Sequence, residues 1–334
     1  MTENPMGAAQ DRDRSRSNFS ALALKRNGRY KNRDSIVLET DSVRVELIPG
    51  LGGKIVSLRY KPTGKEWLVE ADLHELPQPA YGSSFGDADM SGWDECFPTI
   101  GTCAADAEGK VLLPDHGEVW PLAWDEAFDE GSVVCSVNGV AMPYRLSRTL
   151  SFAADDTLRM DYIAENLGDE PLPFLWVPHP QFAVSEPTRV ELPPSVQDML
   201  CVYGGASRQE GVTYPWAGEA VIGTEQTGDG RKYYAPGPVA EGWCGLTCER
   251  SGDWLRMEVD PERVPYLGIW VDEGMYNIRN AIALEPSIGY YDVLDRAIAN
   301  GTARIVPPRG SCAWSLSVRL GNQASGAGSA TEQT

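Results

Sequence analysis

The chain of 334 residues is 42% hydrophobic and carries 29 Lys and Arg against 48 Asp and Glu, a formal net charge of −19. It is long enough to bury a sizeable core without disulfides. A surface this acidic repels phosphate backbones and anionic lipid heads, so nucleic acid and membrane surfaces are excluded as natural partners and a neutral or cationic small molecule is favoured.

Residues 1–34 are polar, rich in Arg, Asp, Ser and Asn, and read as a disordered tail. Its basic run, Lys25, Arg26, Arg29, Lys31 and Arg33, reads as solvated. No apolar core of a signal peptide is present at this end, and no stretch approaches 18 uninterrupted apolar residues. The seven cysteines (Cys96, Cys103, Cys135, Cys201, Cys244, Cys248, Cys312) are odd in number and irregular in spacing, as reduced thiols of a cytoplasmic protein would be.

From 35 to 320 the dominant pattern is period-2 alternation, which predicts one large antiparallel β-sandwich, all-β with few short helices. Val43, Val45 and Leu47 alternate with polar neighbours. Tyr144, Leu146, Leu150 and Phe152 do the same, with Arg148 as an interruption; Leu158, Met160 and Tyr162 follow. Leu255, Met257 and Val259 repeat the pattern, as do Cys312, Trp314, Leu316, Val318 and Leu320. Gly168-Asp169, Asp229-Gly230 and Asn300-Gly301 are expected turns. One segment reads as helix: Asp292 as cap, Val293 to Ala299 as body, Gly301 as terminator. No internal repeat of propeller or solenoid type is visible. Residues 321–334, rich in Gly, Ala and Ser, are expected to be loose.

Three histidines allow each to be weighed. His74 sits in a polar loop and reads as a surface residue. His116, in Leu113-Pro114-Asp115-His116-Gly117-Glu118-Val119-Trp120, lies beside a glycine that lets backbone approach a ligand; a turn histidine with local hydrogen bonds is the plainer alternative. His179, in Trp176-Val177-Pro178-His179-Pro180-Gln181-Phe182, ends an apolar run and is held between two prolines, which suits catalysis better than packing. Glu285 follows the apolar run Ala281-Ile282-Ala283-Leu284; a carboxylate there is paired or functional. Trp93, Asp94 and Glu95 form a dense polar-aromatic patch, a candidate binding loop or a solvated one. Ten tryptophans, with Trp93, Trp120, Trp176 and Trp270 in these unusual segments, suit a sugar, whose C–H faces stack on rings while hydroxyls take polar groups. Gly82-Ser83-Ser84-Phe85-Gly86 matches GxSxG but lacks the flanking strand and helix of a nucleophile elbow and reads as a loop. No metal-ligand spacing is apparent, and no cofactor is expected.

Taken in order, four features resemble the galactose mutarotase-like superfamily, which includes the aldose 1-epimerases. They are Glu46 to Leu58 around Gly52-Gly53, the His116-Gly117 pair, His179 with Phe182, and Leu284-Glu285-Pro286 followed by Pro307-Pro308-Arg309-Gly310 and a final strand. The resemblance implies a β-supersandwich with a sugar cleft and a monomer or homodimer. It also implies anomer interconversion by ring opening, with Glu285 as general base, His179 as general acid, His116 on hydroxyls or the ring oxygen, and Trp270 and Trp176 in the wall. Mutual proximity is expected to keep Glu285 ionised and His179 protonated. Pro178, Pro180 and Pro286 depart from the better-known galactose enzymes, and no arginine pair suited to a sugar phosphate is apparent. A non-catalytic sugar-binding protein on the same scaffold is the alternative; a lyase or a hydrolase using Asp94, Glu95 and Glu285 is a more distant one.

Overall fold

The computed structural model describes residues 23–105 and 109–323. Among them the chain is a sandwich built from three large antiparallel sheets. A nine-stranded sheet runs in the order Val221–Ile222, Thr188–Glu191, Trp243–Cys248, Asp253–Val259, Ser311–Asn322, Thr157–Asn166, Tyr144–Ala154, Ser132–Asn138 and Asp125–Asp129. Its central strands carry the alternation read from sequence: Leu158, Met160, Tyr162, Leu316 and Val318 are buried and their neighbours are not.

Two further sheets cover this one. The first contains Ala23–Tyr30, Arg33–Glu39, Val43–Ile48, Lys54–Tyr60, Trp93–Cys96 and Val177–Pro180, with Lys65–Glu66 beside Lys54–Tyr60. The second contains Phe182–Ala183, Ala281–Ser287, Tyr266–Glu273, Asp229–Tyr234, Asp198–Tyr203 and Thr213–Pro215. One hydrophobic core holds residues from all three sheets. The seven cysteines are free thiols, six of them buried. No helix of the described residues is long and apolar enough to cross a membrane.

Several local expectations are corrected. The strand Ala23–Tyr30 lies inside the segment expected to be tail, because its backbone pairs with Arg33–Glu39 and needs little apolar surface to do so. Residues 1–22, the rest of that expected tail, lie outside the described residues, as do 324–334 of the expected loose C-terminus; Gly321 and Asn322 close the strand Ser311–Asn322. Asp229-Gly230 is no turn but the start of a strand paired with Tyr266–Glu273. The helix forms at Leu294–Ala299, but Val293 is its N-cap, with no cap bond from its own side chain, and the Leu294 N–H donates to Thr99 Oγ1 at 3.2 Å; Asp292 is used elsewhere. Gly301, at φ 74°, ends it as expected.

Arg148 does not interrupt its strand. Its side chain is fully buried, and its Nη1 donates to Glu95 Oε1 at 2.9 Å across the sandwich. Glu95 also accepts from the Tyr162 hydroxyl at 2.8 Å and from Trp176 Nε1 at 2.9 Å. Four groups from three strands and a strand entry thereby meet in one buried network, in which the charges pair and Arg148 Nε alone is left without a hydrogen-bond partner.

Candidate active site

The strand Val177–Pro180 ends the first sheet, where it pairs with Trp93–Cys96 and sets His179 across from Asp94. Ala281–Ser287, of the second sheet, runs beside it. Trp176 pairs with Ile288 at one end of this seam and Phe182 with Ile282 at the other. Both pairs share one antiparallel register, and that register sets His179 opposite Glu285. Pro178 and Pro180 offer no N–H donors, so the ladder is not closed between the two ends. Side chains occupy the gap: His179 Nε2 lies 3.9 Å from Glu285 Oε1.

Both groups are buried. Glu285 Oε2 is in direct contact with the Lys232 ammonium, and Oε1 has no hydrogen-bond partner. Lys232 reaches it from Asp229–Tyr234 past Gly268, which is paired with Glu285; a methyl group at Gly268 would lie 3.3 Å from Glu285 Oε2. Lys232 Nζ also lies 3.5 Å from Asp292 Oδ1, which accepts from the Tyr234 hydroxyl at 2.7 Å. This is the use to which Asp292 is put instead of capping.

His116 enters from a separate loop. Its φ of 58° and that of Gly117, 77°, make a left-handed pair, and a side chain at Gly117 would sit 2.3 Å from the Phe97 carbonyl oxygen. The His116 N–H donates to the Ile100 carbonyl at 2.5 Å. The imidazole stacks on Phe85 with ring centres 4.2 Å apart, and it lies 5.0 Å from His179. Phe85 belongs to the GxSxG segment, which is indeed a loop, with a single 3₁₀ turn at Phe85–Asp87.

A cavity of about 330 Å³ opens here, lined among others by His116, His179, Lys232, Asp292, Trp270 and Phe85. Trp270 stands near Tyr203 and Tyr276, with ring centres 5.9 and 6.0 Å away. Glu285 is fully buried and lies outside this lining, in contact with Lys232 and 3.9 Å from His179, which are both part of it. Lys232 is the only Lys or Arg in this lining among the described residues.

Of the residues singled out from sequence, Glu285, His179, His116 and Trp270 come together. Trp176, Trp93 and Glu95 do not: all three are fully buried in the core, Trp176 and Glu95 hydrogen-bonded to each other. Asp94 is buried in an ion pair with Lys54, Oδ2 to Nζ 2.8 Å, behind His179 and outside the cavity lining. His74 is exposed. Lys232 and Asp292 were missed, although Arg231-Lys232 within a strand carried a signal. Adjacent strand residues face opposite sides, so one of two neighbouring cations must point inward.

The electrostatics differ from the expectation that the pair stays charged. Burial, followed by the nearby His116, Lys232 and Lys54, holds the His179 imidazole well below its ordinary range, so it is neutral. Burial pushes the Glu285 carboxyl up, and contact with Lys232 pulls it back toward the carboxylate. Burial alone would lower Lys232, but Asp292 and Glu285 outweigh it and hold the ammonium charged. Among the described residues no group of three or more His, Cys, Asp or Glu is arranged to hold a metal ion.

No protein-family model matches the chain, and no curated protein matches it. Solved structures do. The Slr1438 protein of Synechocystis is 17% identical with a TM-score of 0.67, over 89% of this chain and 99% of that one. A putative aldose 1-epimerase of Klebsiella pneumoniae is 13% identical with a TM-score of 0.68, over 92% and 85%. A galactose mutarotase-like protein of Lactobacillus casei is 17% identical with a TM-score of 0.64, over 86% and 100%. The chain has the galactose mutarotase-like fold. At these identities the similarity is one of architecture, in agreement with the β-supersandwich expected from sequence.

Proposed function

We propose that this protein is a mutarotase-like isomerase that interconverts the α and β anomers of an aldose or a modified sugar. The observation that carries this reading is the approach of His179 Nε2 to Glu285 Oε1, 3.9 Å, beneath a cavity that His116 also lines. The reaction needs a base for the C1 hydroxyl and an acid for the ring oxygen on one small centre. Glu285 takes the C1 hydroxyl proton. The C1–O5 bond breaks as a histidine imidazolium gives a proton to O5 and becomes neutral, and the open-chain aldehyde forms. Rotation about C1–C2 and closure with the same transfers reversed yield the other anomer and restore both groups. Trp270 supplies an apolar face for the sugar's C–H surface, and the acidic chain favours an uncharged substrate.

The test is anomer exchange measured by NMR or polarimetry on a panel of aldoses. Glu285→Gln is expected to lower the accelerated rate by about 10²-fold or more while the protein stays folded. Acceleration that survives in Glu285→Gln, or a wild type inactive on every aldose tested, overturns the reading. Sugar binding by an inactive wild type identifies a non-catalytic sugar-binding protein instead.

A further inference from the structure

We propose that the outer face of the nine-stranded sheet carries a second carbohydrate site, separate from the cleft, which holds an uncharged oligosaccharide between Trp243 and Trp254.

The starting point is where the tryptophans lie. All but three of the ten are buried. Of those three, Trp270 lines the cleft. Trp243 and Trp254 lie on adjacent strands, Trp243–Cys248 and Asp253–Val259, and line one open hollow of about 390 Å³. Cys244, Leu246, Cys248, Leu255 and Met257 enter the core, so alternation turns the residues between them outward. Polar residues belong on the solvent face of an antiparallel sheet. Two half-exposed indoles gathered on one patch of that face are not accounted for by packing, and such patches mark binding surfaces.

The register shows how the patch is built. Glu191, Gly245, Arg256 and Arg319 are successive cross-strand partners, a row that runs over four strands. Trp243 stands two residues to one side of this row and Trp254 two residues to the other. Their backbones are thus about 13 Å apart along the strands, more than a single sugar ring spans. Gly245 has no side chain, which lowers the floor between them. Trp254 lies across its strand partner Gly321, where a Cβ would fall 2.3 Å from Cζ2. The indole is therefore laid down on bare backbone.

The polar groups of the hollow are unspent. Arg256 stacks on Trp243 with Cζ 4.1 Å from the ring centre. Its Nε lies 2.9 Å from Glu258 Oε1 but is not aligned for a hydrogen bond. Among the described residues, the side chains of Arg256, Glu258, Glu191 and Thr247 and both indole N–H groups make no hydrogen bond. Only Arg319 is engaged, donating to Asp156 Oδ2 at 2.8 Å. The charged lining is two arginines and two glutamates, which sum to zero. That balance favours an uncharged ligand, and the net charge of −19 disfavours an anionic one. Aromatic faces beside free donors and acceptors of both kinds match a chain of sugar rings: C–H faces meet indole, and hydroxyls meet Arg256, Glu258 and Glu191. A peptide fits less well. Both tryptophan-bearing strands are interior to the sheet, so no backbone edge is open for an added strand. The hollow shares no lining residue with the cleft and does not depend on the isomerase reading.

The test uses the full chain and maltohexaose, cellohexaose, mannohexaose and xylohexaose, each reduced at its end to the alditol so that no anomeric hydroxyl is offered to the cleft. Binding is read by titration calorimetry and by indole N–H signals in ¹H–¹⁵N NMR, assigned with Trp243→Phe and Trp254→Phe. At least one reduced hexaose is expected to bind with a Kd below about 1 mM. It is expected to shift the Trp243 and Trp254 signals in wild type, an arm that needs no altered protein beyond the assignment. Trp243→Ala and Trp254→Ala are each expected to weaken that binding by about 10-fold or more, with folding checked by thermal unfolding. Trp270→Ala is expected to leave it unchanged. The proposal is overturned if none of the four binds below about 1 mM, if the shifts are confined to Trp270, or if both alanine variants bind as wild type does. Sedimentation showing a dimer that Trp243→Ala dissolves also overturns it, and identifies the face as an interface between copies of this chain.

Discussion

Lys232 and Glu285, on strands separated by Tyr266–Glu273, meet in a buried ion pair across the bare backbone of Gly268. The contact keeps a carboxylate chargeable where burial alone would protonate it. It leaves Glu285 with one oxygen engaged and the other, Oε1, free to accept a proton.

Removing the ammonium should therefore do more than lose one contact. Lys232→Met leaves Glu285 uncompensated in the core and Asp292 without its cation. Unfolding by denaturant is expected to show a loss of about 3–5 kcal/mol, as when one partner of a buried pair is deleted. Lys232→Met with Glu285→Gln is expected to recover part of that loss, because no buried charge is then stranded. A double variant no more stable than Lys232→Met would refute the ion-pair account.

Trp176 and Trp270 should separate cleanly. Trp176→Phe deletes the indole donor to Glu95 inside the core, and a stability loss of about 1–3 kcal/mol is expected with sugar binding unchanged. Trp270 is only partly buried and lines the cavity. Trp270→Ala is expected to weaken sugar binding by about 10-fold, the scale of a lost aromatic face. Titration calorimetry and thermal unfolding read the two effects; equal binding losses in both variants would contradict this division.

The turn that presents His116 depends on Gly117. Gly117→Ala places a methyl group against the Phe97 carbonyl and asks an alanine to hold φ near 77°. A loss of stability of at least about 1–3 kcal/mol is expected, together with loss of the ordered His116 ring signal in NMR. An alanine variant with wild-type stability would mean that the loop has another conformation.

The neutral His179 has a signed consequence for stability. Its folded affinity for a proton is lowered, so below the ordinary imidazole value of 6.5 the unfolded chain binds a proton that the folded chain does not. Its contribution to stability is therefore present above that pH and is lost as pH falls toward the lowered folded value. Through that window the slope contributed approaches about 1.4 kcal/mol per pH unit. His179→Gln is expected to flatten the acid side of the stability curve, measured by denaturant unfolding at pH 4.5 to 7.5. A slope unchanged by the substitution would show that His179 is protonated in the folded protein.

Much of this architecture was legible in residue order. Alternation in the strands around Leu158 and Leu316 specified a half-buried sheet, because a pleated strand sends successive side chains to opposite faces. His116, His179 and Glu285 stood out because glycine, prolines and an apolar run are costly surroundings for a polar group without a task. The same local logic misread Arg148 as a break, Asp292 as a helix cap, and Trp176 and Glu95 as sugar contacts. In each case the deciding partner lies far along the chain: Glu95 for Arg148, Tyr234 and Lys232 for Asp292.

The sequence by itself determined the sandwich and three of the side chains that meet at its seam, since periodicity and backbone restriction are local properties. Only the tertiary structure decided that His179 faces Glu285, that Lys232 stands between Glu285 and Asp292, and that three of the candidate aromatic and acidic residues serve the core. Register and charge pairing arise between distant strands, and no local pattern records which of two buried charges will find a partner.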